Sequence, residues 1–310
     1  MNRPAPAGSP GSARRADLLT PRELAGLGGL ELLATSVVQG YLLGLHRSPH
    51  RGFSAEFAEL RGYRPGDDLR HIDWRMFARS DRYYVKQFEE ETNLRAYLLL
   101  DVSASMDWSS EESLPSKLWY GRLVTASLAL LLLRQGDRAG LAIFDDRVRD
   151  WLPDRGGRRQ WGEIVRRLRD ARPSGETDPA EALRSAALRL GRRGMVVLVS
   201  DLLTETEGAV RALRFLRHRG HQVLVLHLID PGERTLPGQG EVLLRDPESA
   251  EEVRVDVTEL QRDYRDAVDG AIAEWRRRLR AAGIEYHLVD TSAPLSRTLR
   301  AVLLKRSRLG

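Results

Sequence analysis

Cysteine is absent from the 310 residues. That excludes a disulfide framework, a thiolate metal site and a cysteine nucleophile, and it suits a reducing compartment. Lysine is almost absent: Lys86, Lys117 and Lys305 are the only lysines among 49 basic residues, the other 46 being arginines. Aromatic residues make up 6% of the chain, and acids are interspersed with the arginines. The formal charge of +5 is therefore not gathered into the one-sided basic face with interleaved aromatics that nucleic-acid binding needs, and no nucleic-acid partner is expected. Long hydrophobic runs are missing as well. The longest strongly apolar stretch, Leu123 to Leu133, is interrupted by Thr125 and Ser127 and falls far short of the roughly 20 residues of a membrane-spanning helix. No transmembrane anchor is expected. The opening MNRPAPAGSPGSARR lacks the apolar core of a secretory signal, which makes a cytoplasmic location the expectation. No glycine-rich stretch carries the lysine and hydroxyl of a P-loop, no GxSxG elbow occurs, and no histidine pair has a third zinc ligand nearby.

What the chain does have is order in its apolar residues. Residues 1–16 read as a tail rich in Pro, Gly, Ala and Ser. Residues 17–93 read as an N-terminal docking segment, helical from Asp17 to His46 with Thr20 as N-cap before Pro21, then dense in Arg and Asp. From Leu94 apolar runs of strand length alternate with amphipathic helical stretches, the pattern of a doubly wound α/β domain with a mostly parallel sheet. The expected strands are Arg95 to Leu100, Arg138 to Phe144, Val148 to Leu152, Met195 to Ser200, Val223 to Ile229 and Glu285 to Val289, the third of them antiparallel. This domain is expected to span 94–310, with a β-hairpin insert at about 231–256.

Oxygen donors collect at two strand ends. Leu98-Leu99-Leu100 runs into Asp101, Ser103 and Ser105 at alternate positions, and Val196-Val197-Leu198-Val199-Ser200 ends in Asp201. In a doubly wound sheet these two ends meet where strand order reverses, the place where such sheets bind ligands. A third hydroxyl, Thr177, stands just before a helix on the connection into the second strand. One or two carboxylates with hydroxyls form a hard donor set suited to Mg²⁺ or Mn²⁺. Each residue also has a local alternative: Asp101 as a turn former, Ser103 or Ser105 as a helix cap, and Thr177 beside the capping set Asp178, Pro179 and Glu181.

With those residues in view, DxSxS at 101 to 105, Thr177 and Asp201 resemble the metal-ion-dependent adhesion site of von Willebrand factor A domains. The resemblance implies that Ser103, Ser105 and Thr177 ligate the cation through hydroxyls, that Asp101 and Asp201 act through bound water, and that one position stays open for a partner's acid. A second resemblance is longer. RGYRPGDDLRHIDW, then ARSDRYYVKQFEEE, leads directly into LLLDVSASM. From about Gly44 to Thr204 the chain resembles the bacterial family catalogued as domain of unknown function 58. That implies a von Willebrand factor A-like fold and a non-enzymatic adaptor working with a MoxR-type AAA+ ATPase or its client in protein remodelling or maturation.

The charged segment allows two readings. Arg61, Asp67, Asp68, Arg70, Asp73, Trp74 and Arg79 can form a structural network of ion pairs and packing against the sheet domain. Alternatively, Asp67, Asp68, Asp73 and Asp101 could converge on one or two metal ions in a hydrolase or nuclease.

Overall fold

The computed structural model describes residues 20–25, 28–46, 60–63, 76–77, 79, 82–86, 94–111, 114–174, 179–191, 193–236, 238, 240–245 and 252–306. Its centre is a six-stranded sheet formed by β3 (Arg95–Asp101), β4 (Arg138–Phe144), β5 (Val148–Arg155), β6 (Met195–Ser200), β7 (Gln222–Ile229) and β10 (Glu285–Asp290), in the spatial order β10-β7-β6-β3-β4-β5. All neighbours run parallel except β5, which pairs antiparallel with β4 at the edge. This is the doubly wound, mostly parallel arrangement anticipated above. β5 runs on through Pro153 to Arg155, beyond the expected end at Leu152, because an edge strand tolerates a residue with no N–H to donate.

Both faces of the sheet are buried, so side chains alternate between two cores rather than between core and water. Leu98, Leu100, Val197, Val199, Leu226 and Leu228 face one core, while Tyr97, Leu99, Val196, Leu198, Val223 and Val225 face the other. The first core is covered by α3 (Lys117–Arg134), α4 (Arg158–Asp170) and α9 (Leu295–Arg306), and the second by α5 (Pro179–Arg189), α6 (Thr206–His218) and α8 (Val257–Ala281).

Helix α3 is apolar on nearly every side, the pattern of a helix with no solvent face. Its partners account for this. Gly121 sits against the sheet, where an added Cβ would meet Leu100, Val199 and Leu228 at 3.0 to 3.4 Å, and the opposite side of the helix is covered by α2 (Leu30–His46) through Leu33, Ala34, Val37, Val38 and Tyr41. Before it comes α1 (Pro21–Ala25). There Thr20 and Glu23 bond reciprocally, the Thr20 N–H donating to Glu23 Oε2 at 2.8 Å and the Glu23 N–H to Thr20 Oγ1 at 3.5 Å, which is a capping box.

Two strands, β1 (Leu60–Gly62) and β2 (Tyr84–Lys86), pair with each other. Between β7 and α8 the chain forms the short helix α7 (Pro231–Thr235) and then a hairpin of β8 (Glu241–Arg245) and β9 (Glu252–Asp256). Pro231-Gly232 reads as a turn in the sequence, yet Asp230 and Glu233 cap it into a helical turn. Among the described residues no helix is long and apolar enough to cross a membrane.

Candidate functional site

Strand order reverses between β3 and β6, which pair directly. Their carboxyl ends carry Asp101 and, one residue beyond β6, Asp201, with exposures of 0% and 2%. Each Asp101 oxygen accepts one bond: Oδ1 from the Ser103 N–H at 2.9 Å and Oδ2 from the Ser200 hydroxyl at 2.6 Å. Asp201 Oδ1 accepts the Leu203 N–H at 3.3 Å. The intervening Leu202 holds φ at +54°, a left-handed conformation that costs a leucine about 1–3 kcal/mol. Its backbone N–H bonds Ser200 Oγ at 3.0 Å, so the loop shape and the orientation of Asp101 depend on the same hydroxyl.

The serines do not act as helix caps. Ser103 occupies the cap position of the short 3₁₀ turn Ala104–Asp107, but its side chain makes no capping bond. Its hydroxyl lies 3.1 Å from that of Ser105 instead, and both residues are buried. Two buried hydroxyls facing each other keep lone pairs free beside two carboxylates. Among the described residues no group of three or more His, Cys, Asp or Glu is arranged to hold a metal.

Two groups that the sequence reading passed over complete the site. Lys117, the first residue of α3 and fully buried, donates to Asp201 Oδ2 at 2.7 Å and to Glu233 Oε1. Burial pulls its ammonium down, but Asp201 and Glu233 more than reverse this and hold it above the usual lysine range. For Glu233 the balance is opposite: burial outweighs the attraction of Lys117 and raises the carboxyl. Burial, together with the neighbouring Asp201 carboxylate, pushes Asp101 up to about 7 despite its bonds from Ser200 and Ser103. The signal for Lys117 was present in the sequence, since a lysine following the N-cap Ser116 opposes the helix dipole and needs a compensating partner.

Glu233 is itself held in place. Asp230 caps α7 through the Gly232 N–H at 2.7 Å and accepts the Ser110 N–H at 3.3 Å. A Cβ on Gly232 would stand 2.1 Å from Ser110 Cβ, so only glycine permits this approach of α7 to the loop after β3.

Thr177 lies outside the described residues. The connection leading to it is tied to the site at Ser174, whose N–H donates to the Val102 carbonyl at 2.9 Å. Asp67, Asp68, Arg70, Asp73 and Trp74 also lie outside the described residues; Arg61 falls in β1, and Arg79 is exposed. A cleft of about 430 Å³ beside Val102 and Ser174 is lined by Arg149, Arg166 and Arg167. These arginines pair with Asp145, Asp170 and Asp150 respectively, whereas Arg172, also in the lining, donates to the Arg169 and Ala171 carbonyls.

His227, in β7, is buried with its Nδ1 2.7 Å from the Tyr286 hydroxyl, and burial lowers its pKa to about 4. The unfolded chain, with histidine near 6.5, therefore binds more protons than the folded one between these values. The corresponding stability is present above pH 6.5 and is lost as pH falls toward 4, by at most about 3 kcal/mol. In His227→Gln the urea midpoint is expected to fall less between pH 7 and pH 4.5 than in the wild-type protein. An equal fall would assign the acid sensitivity to other groups.

Comparison with known proteins places the chain among relatives of unassigned role. Residues 59–277 match the family model described as protein of unknown function DUF58. An uncharacterised protein of Mycobacterium tuberculosis, Rv1480, is 32% identical over 281 residues, covering 88% of this chain and 86% of the relative. Among solved structures, BatB from Bacteroides thetaiotaomicron, a conserved hypothetical protein, aligns with a TM-score of 0.47 and 20% identity over 69% of this chain and 99% of its own. The SpRpn10 VWA domain aligns with a TM-score of 0.41 and 11% identity over 68% and 95%.

Proposed function

The chain belongs to the family described as protein of unknown function DUF58, and from that membership and the geometry at the β3 and β6 ends we propose that it is a non-enzymatic, divalent-cation-dependent protein-binding adaptor. The observation that carries this reading is the Ser103 hydroxyl, which stands at a cap position without capping and faces Ser105 beside two buried carboxylates.

Ser103 and Ser105 hold the ion through their hydroxyls, with Thr177 supplying a third by the adhesion-site resemblance. By the same resemblance Asp101 and Asp201 would act through ion-bound water, each of their oxygens already accepting one protein donor and retaining lone pairs for more. A bound Mg²⁺ or Mn²⁺ supplies one electrophilic position for a Glu or Asp of the partner. Few of the chain's own carboxylates touch it directly, so a partner's acid adds what the site lacks. The partner that the resemblance indicates is a cytoplasmic MoxR-type AAA+ ATPase or its client.

The test is binding to a purified MoxR-type AAA+ ATPase, and to a client of it, immobilised separately. Association is expected in millimolar Mg²⁺, and loss of at least about tenfold in affinity in chelator or in Asp101→Ala, the scale of removing one charge-assisted contact. Equal binding with and without the divalent ion would exclude the cation mechanism.

A further inference from the structure

We infer that Lys117 sets how tightly the site holds its cation, acting as a fixed monovalent counter-ion on Asp201; this rests on the cation reading above. Four observations converge on it. The ammonium is fully buried, a costly placement that needs close and well-formed partners. It stands at the first position of α3, where the helix dipole disfavours a cation. The chain uses arginine at 46 of its 49 basic positions, yet here has lysine, a compact point charge with three donors rather than a planar fork. And its acceptor is Asp201 Oδ2, at 2.7 Å, on one of the two carboxylates that the adhesion-site resemblance assigns to the ion.

The charges give this placement a consequence. Asp101, Asp201 and Glu233 carry three negative charges when ionised, and Lys117 returns one positive charge. A divalent cation offsets the excess negative charge that remains. Asp230, buried next to Glu233, is engaged in capping α7 and in the Ser110 contact. A site with all three carboxylates uncompensated would grip the ion strongly and leave it little need of a further acid. With Lys117 in place the ion is held loosely by the chain alone and firmly once a partner's carboxylate adds its charge. Lys117 thereby makes cation retention depend on partner engagement. Because Glu233 belongs to α7, the same ammonium also ties the segment after β7 to the ends of β3 and β6.

The experiment is a Mn²⁺ titration of the full chain, followed by the paramagnetic signal of free Mn²⁺, on the wild-type protein and on Lys117→Met, Lys117→Arg, Glu233→Gln and Asp101→Ala. Removing a unit charge a few ångströms from a divalent ion at intermediate dielectric is expected to tighten Mn²⁺ at least about tenfold in Lys117→Met. Lys117→Arg, which keeps the charge, is expected to stay within about threefold of wild type, and Glu233→Gln, which leaves the ammonium to Asp201 alone, to weaken Mn²⁺ about tenfold. Unchanged or weaker binding in folded Lys117→Met would overturn the inference, as would equal tightening in Lys117→Arg, which would indicate space rather than charge. If Lys117→Met does not fold even with Mn²⁺ present, Lys117→Gln, which keeps a donor to Asp201 without the charge, takes its place: tighter binding supports the inference and unchanged or weaker binding overturns it. Asp101→Ala keeps the two readings apart. Wild-type binding that survives that substitution places the ion elsewhere and defeats the site reading itself. Binding that appears only in Lys117→Met removes the resident ion of the wild-type protein while upholding the role of the lysine. No binding in any folded chain overturns both.

Discussion

Lys117→Met is expected to lose about 3–5 kcal/mol of unfolding free energy when measured in chelator, the cost of breaking a buried ion pair from one side. Methionine matches the stem of lysine in length and replaces its packing, so the loss isolates the charge. What remains is Asp201, at 1% side-chain exposure, and Glu233, at 21%, without their shared ammonium. Little solvent reaches either carboxylate, so screening does not rescue them. A shifted urea midpoint at unchanged slope reports the effect, since the slope follows the surface exposed on unfolding. A divalent cation bound in the vacated field is expected to recover part of the loss, in proportion to the logarithm of its concentration over its dissociation constant. A loss below about 1 kcal/mol would mean that the two carboxylates find other partners or take up protons, as an unpaired buried carboxylate tends to do.

Asp101→Asn is expected to act in the opposite direction. In the metal-free protein Asp101 titrates at about 7, well above its value near 3.9 in an unfolded chain. A carboxyl raised in this way contributes stability that is fully present below the unfolded value and is lost as pH rises through about 7. At pH 8 the buried, ionised Asp101 beside Asp201 is therefore a liability. Asparagine keeps a carbonyl oxygen for the Ser200 hydroxyl or the Ser103 N–H and carries no charge. The substitution is expected to raise stability by about 2–4 kcal/mol at pH 8 in chelator, and by little at pH 4, where the wild-type carboxyl is already protonated. The same variant should show no stabilisation by Mg²⁺. A residue that costs the empty fold and benefits the occupied one is the pattern of a binding site rather than of a structural ion pair.

Much of this architecture is visible in the sequence, for reasons that can be stated residue by residue. Runs such as Leu98-Leu99-Leu100 and Val196-Val197-Leu198-Val199 are apolar at consecutive positions because both faces of a parallel sheet are covered, and that marks them as buried strands without any alignment. Their ends are marked by the first polar residues, Asp101 after one run and Ser200-Asp201 after the other, so both acids could be expected at the switch point. Less visible were α7, whose Pro231-Gly232 start imitates a turn, and α9, where Arg297, Arg300 and Lys305 interrupt the apolar spacing of Leu295, Leu299 and Val302. The role of Lys117 escaped because a search for metal ligands collects acids and hydroxyls. A cation that competes for the same carboxylate is recognised only once Asp201 and Glu233, distant in sequence from Lys117 by 84 and 116 positions, are seen on either side of it. Whether Ser103 caps the turn that follows was likewise open from spacing alone, and only the missing capping bond excludes that role.

The most direct test of a divalent cation held at the β3 and β6 ends is a calorimetric Mg²⁺ titration of the wild-type chain beside Asp101→Ala. Saturable binding near one ion per chain in the wild-type protein, absent in the variant, is the predicted result. Wild-type protein that takes up no Mg²⁺, or a variant that binds it equally well, would contradict the account.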